Sequence, residues 1–589
     1  MTSIPEGQIV THWDLTYANF TTTITLDSRG RLTFAVELAG RAVIAPSRLG
    51  IQTAHADLSE GLSFDRITSE EIHDSYVTLI GKRHDHDYVA TGWKLFFTKG
   101  ADRLELEVQI SAQGVAYRYH VPWTGPVTVT AETSEYVLAG DSRAVLLPYD
   151  NGRSDYEEVH VHTTVDAAEK MRYGYPALFK TGENWLLITE SNLDATYAGA
   201  RLDFDGASFQ VDLPDPYVTS ASPLVTPWRT AIIGELATIV ESDLITSLAA
   251  PSKVDDTAWI KPGAAAWSWW SDGPSTRDLE AQQKWVDYAA SQGWPYLLAD
   301  AGWNKEWMPD LIKYAADRNV GIFLWSHWQH LDSEIEHREK LALWKEWGAA
   351  GVKIDFTESD GQDRMRWFDA ILAATARLQL MVVFHGGTIP RGTERTWPQF
   401  LSAEAVKGAE WIKPKPGKQP FPAEHYVALT FTRNVQGPMD FTPVTFSSVR
   451  SISAGHELAL AVLFDSGIQH FADDYAAYQQ RPAAQRLLSI VPTAWDETRL
   501  LSGDPSDHVI LARRSGDQWF IGAGVAGTAR EVSVPLDFLP GGSWQAELFT
   551  ESPDDPHEHV VSSTYAVEAG DNLTVEVADN GGFVVVLTR

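Results

Sequence analysis

The sequence lacks cysteine and carries a large deficit of positive charge. Without cysteine, the 589-residue chain excludes disulfide bonds, thiolate metal sites and cysteine nucleophiles. Any metal must therefore be held by oxygen or imidazole ligands. The net charge of −32 argues against nucleic acid and anionic membranes as partners, because phosphate binding draws on clustered Lys and Arg.

Long apolar runs are missing as well. No stretch approaches the roughly 18 to 20 consecutive apolar residues of a membrane span. Residues 1–20 have neither the basic start nor the apolar segment of a secretory signal. These absences predict a cytoplasmic protein that does not cross a membrane.

What is present is a long chain of ordinary apolar content. A length of 589 residues predicts about three to four domains, and 44% hydrophobic residues are typical of globular chains. The 23 tryptophans are many for this length. Most of them are expected in the core, but flat apolar rings also stack on the faces of sugars.

The first and last parts of the chain read as all-β. From residue 11 to about 252, polar and apolar residues alternate in short runs separated by turn residues, which predicts a large antiparallel sandwich. Residues 250–263 contain Pro and Gly with little apolar content and read as a linker. The alternation returns from about residue 500. We therefore predict an N-terminal β domain at 1–255 and a C-terminal β-sandwich at 499–589.

The middle of the chain has a different rhythm. Short apolar strands are predicted at 264–270, 294–300, 320–328, 351–356 and 380–387, and segments with helical spacing lie between them. Parallel strands with crossover helices form an open doubly wound sheet or a closed eightfold barrel. No Gly-rich phosphate fingerprint follows the first strand, so we predict a (β/α)8 TIM barrel over 256–498.

Polar residues follow several of these strands, at the end where a barrel carries its active site. Each one taken alone has a structural explanation as a helix cap, a core ion pair or a satisfied histidine. Together they indicate a site; they are Asp300, His327, Asp355, His385, Glu404 and Glu410.

Two carboxylates in an aromatic cleft are the usual equipment of glycoside hydrolysis. Asp355 is the better candidate for attack because a strand holds it rigidly. Glu404 and Glu410 are six residues apart, so only an irregular turn, anchored by Gly408, could bring both to one centre. A shared hard cation would hold such a turn, and calcium suits an acidic chain without cysteine better than zinc does.

Three longer strings resemble a known family. "GVKIDF", "LMVVFHGGTIPRGTERTWPQFLSAEAVKGAEW" and "HYVALTFTRNVQGPMDFTP" look like glycoside hydrolase family 97, which contains bacterial α-glucosidases and α-galactosidases. The resemblance covers roughly residues 260–475. It implies a β-super-sandwich, a catalytic (β/α)8 barrel and a C-terminal β-sandwich, in agreement with the three predicted domains.

The resemblance also implies a branch of the family. In the inverting branch a glutamate follows the histidine of "FH", whereas here Gly386 follows His385. The retaining branch instead uses an aspartate that ends the fourth strand, which matches Asp355. The resemblance thus implies an exo-acting, retaining α-galactosidase with Asp355 as nucleophile and Glu410 as general acid/base. Retention requires these two carboxyl groups to lie about 5 to 5.5 Å apart.

A calcium ion is implied by the same resemblance. Glu404 matches a calcium ligand, Glu410 adjoins the same centre, and Glu190 in "NWLLITESNL" matches a ligand from the N-terminal domain. Calcium would then join two domains at the substrate pocket.

Sugar-binding residues are less well specified by sequence. We predict contacts with substrate hydroxyls or rings for Asp300, His327, His385, Arg433 and Trp269, although each could equally be a hydrogen-bonded strand-end residue. Asp440 is either a subsite residue or a turn cap. Trp269 and Trp270 form an unusual pair that could reshape the sugar subsite.

Three alternatives stay open at this stage. An inverting α-glucosidase would need Glu358 or Asp360 as its base. A β-L-arabinopyranosidase would share the stereochemistry of galactose without its C6 group. A carbohydrate-binding protein without activity is opposed by the intact Asp355, Glu404 and Glu410.

Overall fold

The computed structural model describes residues 9–149, 153–221 and 223–589. It contains an antiparallel N-terminal domain, a parallel barrel and an antiparallel C-terminal domain, so the predicted three-part fold is confirmed. Among the described residues, no helix combines the length and apolar character that a membrane crossing needs.

The N-terminal domain is built from three antiparallel sheets. A four-stranded meander comprises Ile9–Tyr17, Phe20–Asp27, Leu32–Leu38 and Arg41–Leu49, and a three-stranded sheet comprises Ile51–Thr53, Val127–Glu132 and Val218–Ser220. The largest sheet has 13 strands, which are Ser63–Val77, Asp85–Lys99, Asp102–Ser111, Gly114–Val121, Glu135–Tyr136, Arg143–Pro148, Val161–Thr164, Arg172–Thr181, Asn184–Ser191, Arg201–Phe204, Phe209–Asp212, Leu224–Val225 and Trp228–Gly234.

Alternating side chains explain this sandwich. In the strand Phe20–Asp27 every second residue is buried and the intervening ones are half-buried. Such a period-two pattern gives each strand one apolar face, and two such faces close a core between sheets. Two short helices, Leu236–Glu241 and Leu244–Ser247, then lead the chain toward the barrel.

Seven parallel strands form the barrel, numbered here β1 (Gly263–Trp267), β2 (Tyr296–Ala299), β3 (Gly321–His327), β4 (Gly351–Asp355), β5 (Met381–Phe384), β6 (Phe400–Ala403) and β7 (Ile468–Phe471). They are hydrogen-bonded in the order β6-β5-β4-β3-β2-β1-β7. An eighth strand was expected. In the described chain its place between β6 and β7 is taken by an irregular segment, where Met439 makes a single parallel bridge with Ala403.

Helices cover the outside of the barrel. The α-helices are Leu279–Gln292, Met308–Ala316, Glu334–Trp347, Gln362–Leu378, Thr393–Thr396, Ala423–Phe431, Arg433–Gln436, Ala454–Leu463, Tyr475–Gln479 and Pro482–Leu488, and short 3-10 turns lie at Gly273–Arg277, Trp328–Leu331 and Ala409–Ile412. Local sequence sets several ends: Ser333 and Glu336 form a capping box at the start of Glu334–Trp347, and Gly348 ends that helix with φ +98°.

The C-terminal domain is again antiparallel. Six strands form one sheet and two form another, and the strands are Glu497–Asp504, His508–Ser515, Gln518–Val525, Arg530–Pro535, Ser543–Glu551, Val560–Glu568, Asn572–Val577 and Gly582–Thr588. The barrel helix Ala454–Leu463 is wholly buried, and its core continues into residues of both β domains.

Candidate active site

The polar residues singled out by sequence meet at the carboxyl ends of neighbouring barrel strands. Asp300 follows β2, His327 ends β3, Asp355 ends β4, His385 follows β5 and Glu404 follows β6. Because these strands are parallel and adjacent, their carboxyl ends share one edge of the barrel. The expected juxtaposition of these five residues is confirmed.

Asp355 is held by two hydrogen bonds. The indole N–H of Trp325 donates to its Oδ2 at 2.9 Å, and the backbone N–H of Phe356 donates to its Oδ1 at 2.7 Å. The residue is half-buried at the end of β4. The carboxylate therefore has a fixed orientation at a place that solvent or substrate can reach.

His385 lies at the centre of the acids. Its Nε2 is 2.7 Å from Asp440 Oδ2, and its Nδ1 is 3.1 Å from Glu404 Oε2 and 3.5 Å from Glu410 Oε1. Burial alone lowers the pKa of His385, but Glu404 and Asp440 outweigh it and raise that pKa well above its usual range. Burial notwithstanding, the protonated form of His385 is favoured, and it contacts the carboxyl groups of Glu404, Glu410 and Asp440.

Lys353 is the second buried cation. Its Nζ lies 3.2 Å from Asp300 Oδ2 and 3.7 Å from Glu410 Oε1, and it sits 4.5 Å from the centre of the Trp267 ring. Burial lowers the pKa of Lys353, but the charges of Asp300 and Glu410 outweigh burial and raise it. Lys353 and Asp355 are two residues apart on β4, so both project to the same face of the strand.

The irregular turn expected between Glu404 and Glu410 is present. Both glutamates approach His385 Nδ1, and Glu404 Oε2 also accepts the backbone N–H of Gly386 at 2.8 Å. Gly408 packs so tightly that a Cβ there would lie 2.9 Å from the Phe441 carbonyl oxygen. A close approach of this kind requires glycine, as the sequence indicated.

Glu410 has the protonation behaviour of an acid catalyst. Burial and the charges of Glu404 and Asp355 raise the pKa of Glu410, Lys353 and His385 lower it, and the result is about 8. A carboxyl group with such a pKa carries a proton near neutral pH and can give it to a leaving group.

Arg433 does not take the position predicted for a substrate-binding residue. Its buried guanidinium donates to five backbone carbonyls, those of Ala403, Glu404, Ala405, Gly437 and Pro438, at 2.8 to 3.1 Å. The physical reason is that this irregular stretch leaves carbonyls without ladder partners. Arg433 therefore supports the turn that carries Glu404.

Glu190 also differs from its predicted role. It is fully buried, its Oε1 accepts Arg391 Nε at 2.5 Å and Ala200 N at 3.0 Å, and its Oε2 pairs with Arg229. Both carboxylate oxygens are thus occupied by cations or N–H groups. The prediction that Glu190 is a calcium ligand is therefore wrong. Glu190 belongs to a structural ion-pair network with Arg229 and Arg391.

Sequence reasoning missed Glu157, which the N-terminal domain brings to the site. The indole N–H of Trp411 donates to its Oε2 at 2.5 Å. Burial and the charges of Glu404, Asp155 and Glu410 raise the pKa of Glu157 to about 9. The run "DYEEVH" at 155–160, with three acids between strands, was the available indication.

The other predicted sugar-binding residues divide into buried and accessible groups. Asp300 is buried, and its Oδ2 accepts the Trp267 indole N–H at 2.8 Å. Trp269 is half-buried and stacks on Trp267, with ring centres 5.7 Å apart. Trp270 is buried and donates to the Ala409 carbonyl at 2.8 Å, so of the Trp pair only Trp269 stays accessible.

Gly386 leaves no room for a side chain. Its φ is +51°, and a Cβ there would lie 3.0 Å from Asp355 Oδ1 and 2.9 Å from the Phe356 nitrogen. Side chains are rare at such a φ, and these neighbours are a fixed carboxylate and backbone. A glutamate at 386 would therefore conflict with Asp355 where it now stands.

Within the part of the chain that the structure describes, Asp355, His385 and Glu404 each place a possible metal-ligand atom within 4.8 Å of the others. Calcium takes oxygen ligands, so the relevant donors here are carboxylates and not the imidazole. The carboxyl groups of Glu157 and Glu410 are further oxygen donors near Glu404, since the charge of Glu404 acts on both. Burial is the largest cause of the raised pKa values of Glu157 and Glu410, the charge of Glu404 adds to it, and a bound cation would favour their ionised forms.

Comparison with known families matches all three parts of the chain. Residues 17–251 match the N-terminal domain of glycosyl hydrolase 97, residues 259–406 match glycoside hydrolase 97, and residues 494–588 match its C-terminal, oligomerisation domain. The chain belongs to glycoside hydrolase family 97. The resemblance found in the strand-end strings is confirmed.

Relatives within family 97 cover nearly the whole chain. A probable retaining α-galactosidase of Streptomyces bingchenggensis is 41% identical over 95% of this chain and 89% of its own length. A retaining α-galactosidase of Bacteroides thetaiotaomicron is 27% identical over 96% and 95%. The crystal structure of a β-arabinopyranosidase is 24% identical, has a TM-score of 0.88 and covers 96% of this chain and 98% of that one, which supports the fold.

Proposed function

We propose that this family 97 glycoside hydrolase is an exo-acting retaining α-galactosidase that releases terminal α-galactose by double displacement. The observation that carries the proposal is the lack of space for a side chain at Gly386. An Asp355 carboxylate stands 3.0 Å from where a Cβ of residue 386 would lie, so a base cannot occupy 386 while Asp355 keeps its position. The names of the two relatives support galactose as the sugar.

In the first step Asp355 attacks the anomeric carbon while Glu410 gives its proton to the departing oxygen. In the second step Glu410, now a carboxylate, takes a proton from water, which displaces Asp355 from the sugar. The separation of about 5 to 5.5 Å that retention requires stays a prediction for these two carboxyl groups.

The charge coupling of the two acids supports this cycle. The negative charge of Asp355 is one cause of the raised pKa of Glu410. Forming the ester with the sugar removes that charge, so the pKa of Glu410 then falls. The same residue is therefore an acid in the first step and a base in the second.

Calcium is part of the proposal. Glu157, Glu404 and Glu410 would hold it, since their carboxyl groups provide the oxygen ligands that calcium takes. When bound, a calcium ion beside the sugar supplies electrostatic stabilisation of developing negative charge. His385 and Lys353 keep the surrounding acids in place through the contacts described above.

No observation favours the inverting alternative. Asp360, one of its two possible bases, is buried and accepts from Tyr156 at 2.8 Å and Arg391 at 3.2 Å, besides Tyr149 and Thr388. Glu358, the other, lies 3.5 Å from Arg153. The alternatives of glucose and L-arabinopyranose are distinguished by experiment.

The test is Asp355→Ala with p-nitrophenyl α-galactoside as substrate. We expect turnover to fall by at least a thousandfold, partial rescue by azide, and α-galactose as the first sugar that the wild type releases in proton NMR. The matched control is Asp363→Asn, an almost fully exposed acid nearby on the chain, which should keep wild-type rates. Wild-type turnover by Asp355→Ala, or initial release of the β-anomer, overturns the mechanism.

The sugar itself is tested by comparing p-nitrophenyl α-galactoside, α-glucoside and β-L-arabinopyranoside, each with and without EDTA. We expect the α-galactoside to have the highest kcat/KM and EDTA to lower it. A preference for either other sugar would reject galactose while leaving the retaining mechanism intact.

A further inference from the structure

The residue after the proposed nucleophile has an unusual conformation. Phe356 has a φ of +62°, a left-handed conformation that bulky residues rarely adopt. Its backbone N–H donates to Asp355 Oδ1 at 2.7 Å, so this conformation is coupled to the orientation of the carboxylate. The turn also ends β4.

The ring of Phe356 lies at the mouth of the site. Phe356 is 44% exposed, whereas Asp300 and His385 deeper in the site are 3% and 1% exposed. It stacks on His327, which ends the adjacent strand, with ring centres 5.2 Å apart and planes at 23°. The stack covers part of the ring and leaves the remainder open.

His327 presents a polar group beside this ring. Its Nδ1 accepts the backbone N–H of Gln329 at 3.2 Å, so the proton of the neutral imidazole is on Nε2. Burial and the nearby His330 lower the pKa of His327, which favours the neutral ring. An aromatic face beside an N–H donor is suited to a sugar ring, which has apolar C–H faces and hydroxyl edges.

The other exposed aromatic residue beside a proposed catalytic acid is already engaged. Trp411 follows Glu410 and is 38% exposed, but Lys407 and Lys418 lie 4.7 and 4.8 Å from its ring centre. Its indole N–H is donated to Glu157. Phe356 is therefore the better candidate for an open aromatic surface.

We propose that Phe356, supported by His327, is the platform on which the leaving group of the substrate stacks. An exo-acting enzyme encloses the terminal sugar, so an exposed ring at the mouth faces the part of the substrate that departs. This inference rests on the proposed function. The ligand class is a sugar, or an aryl group, bonded to the anomeric oxygen of galactose.

The same platform would bind acceptors. After the first step, a sugar hydroxyl can replace water: its proton goes to Glu410, the bond from the anomeric carbon to Asp355 breaks, and a bond to the acceptor oxygen forms. Stacking on Phe356 would favour this transfer over hydrolysis. The ratio of the two products measures the platform independently of how much enzyme is folded.

The experiment compares Phe356→Ala and Phe356→Tyr on two substrates. One is a disaccharide of galactose α-1,6-linked to glucose, and the other is α-galactosyl fluoride, whose leaving group has no ring. For Phe356→Ala we expect about a tenfold fall in kcat/KM on the disaccharide, of the order of one aromatic stack, and less than a twofold change on the fluoride. Phe356→Tyr should stay within threefold of wild type on both.

A second measurement uses the fluoride with added glucose as acceptor. Phe356→Ala should lower the ratio of transfer to hydrolysis about tenfold. Phe64→Ala is the matched control, because Phe64 is a similarly exposed aromatic residue in the N-terminal domain that packs against Trp13, with ring centres 4.5 Å apart and planes at 40°. Phe64→Ala should change neither the ratio of transfer to hydrolysis nor the rates on the disaccharide and the fluoride.

Two results would overturn the inference. One is an equal fall on both substrates for Phe356→Ala, which would mean that the ring supports the site. The other is unchanged disaccharide cleavage and transfer ratio. Failure of the proposed function looks different, because wild-type enzyme would then cleave neither galactoside.

Discussion

Two groups of buried or half-buried acids lie where the N-terminal domain meets the barrel, and they are built in opposite ways. Glu132 and Glu190 are paired with Arg229, and Glu190 also with Arg391, which Asp360 shares, so each of these carboxylates contacts an arginine. Burial lowers the pKa of Arg229, but these glutamates outweigh it and keep the guanidinium charged.

The second group has more acids than cations. Glu404 and Glu410 share His385, and Glu410 also lies near Lys353, while the same two cations contact the buried Asp440 and Asp300. Glu157 is a further acid on which the charges of Glu404 and Glu410 act. Burial is the largest cause of the raised pKa values of Glu157 and Glu410, and the neighbouring carboxylates add to it. The comparison teaches that the kind of partner separates the two groups: each acid of the first contacts an arginine, which stays charged, whereas the acids of the second share a lysine and a histidine with further acids.

The largest expected effect comes from the second group. Glu410→Gln removes the proton donor, so kcat/KM on the galactose disaccharide should fall by about a hundredfold to ten-thousandfold. The melting temperature should not fall near neutral pH, because Glu410 is protonated there and glutamine is a neutral group of the same shape. Loss of stability together with activity would contradict this separation of roles.

The first group should show the reverse result. Glu190→Gln leaves buried arginine charge uncompensated, and we expect the free energy of unfolding to fall by about 3 to 5 kcal/mol. Folded protein should bind calcium as the wild type does. Asp363→Asn, which breaks an exposed pair with Arg366, should cost less than about 1 kcal/mol. A lower calcium affinity of Glu190→Gln than of the wild type would show that Glu190 is a calcium ligand after all.

Glu157→Gln tests whether the second group of acids binds calcium. If Glu157 is a ligand, calcium affinity measured by titration calorimetry should fall at least tenfold, a loss that even outer partners of a metal site produce. Thermal stability without calcium should be unchanged or higher. Unaltered calcium affinity would remove Glu157 from the proposed site.

A smaller effect on stability is expected from Asp243, an N-terminal acid whose charge is compensated by its neighbours. Burial raises the pKa of Asp243, but a hydrogen bond from His86, the charge of Arg83 and a hydrogen bond from Gln113 outweigh it and lower the pKa to about 2. Since the folded pKa lies below the ordinary 3.8, the contribution is complete above that pH and lost as pH falls toward 2.

That difference of pKa corresponds to roughly 2 kcal/mol at neutral pH. The gap in melting temperature between wild type and Asp243→Asn should therefore narrow as pH falls from 5 to 3. A gap that stays constant over this range would show that Asp243 does not contribute through its charge.

Much of the fold and part of the site followed from local pattern. The five predicted barrel strands occur where alternation gave way to short apolar runs, because strand and helix periods are properties of neighbouring residues. Asp355 and His385 were identified in the same way, since a polar residue that ends a buried strand is visible in the sequence. The barrel's missing eighth strand was not visible, because a single bridge at Met439 leaves no pattern.

The sequence by itself determined the element types, the absence of cysteine chemistry and which acids stand at strand ends. Tertiary structure decided which glutamates lie near one another in the active site. Glu157 comes near Glu404, about 250 residues away in the chain, whereas Glu190 forms ion pairs with Arg229 and Arg391. Periodicity reports only on neighbours in the chain, while charge compensation depends on which distant segments the folded domains bring within a few ångströms.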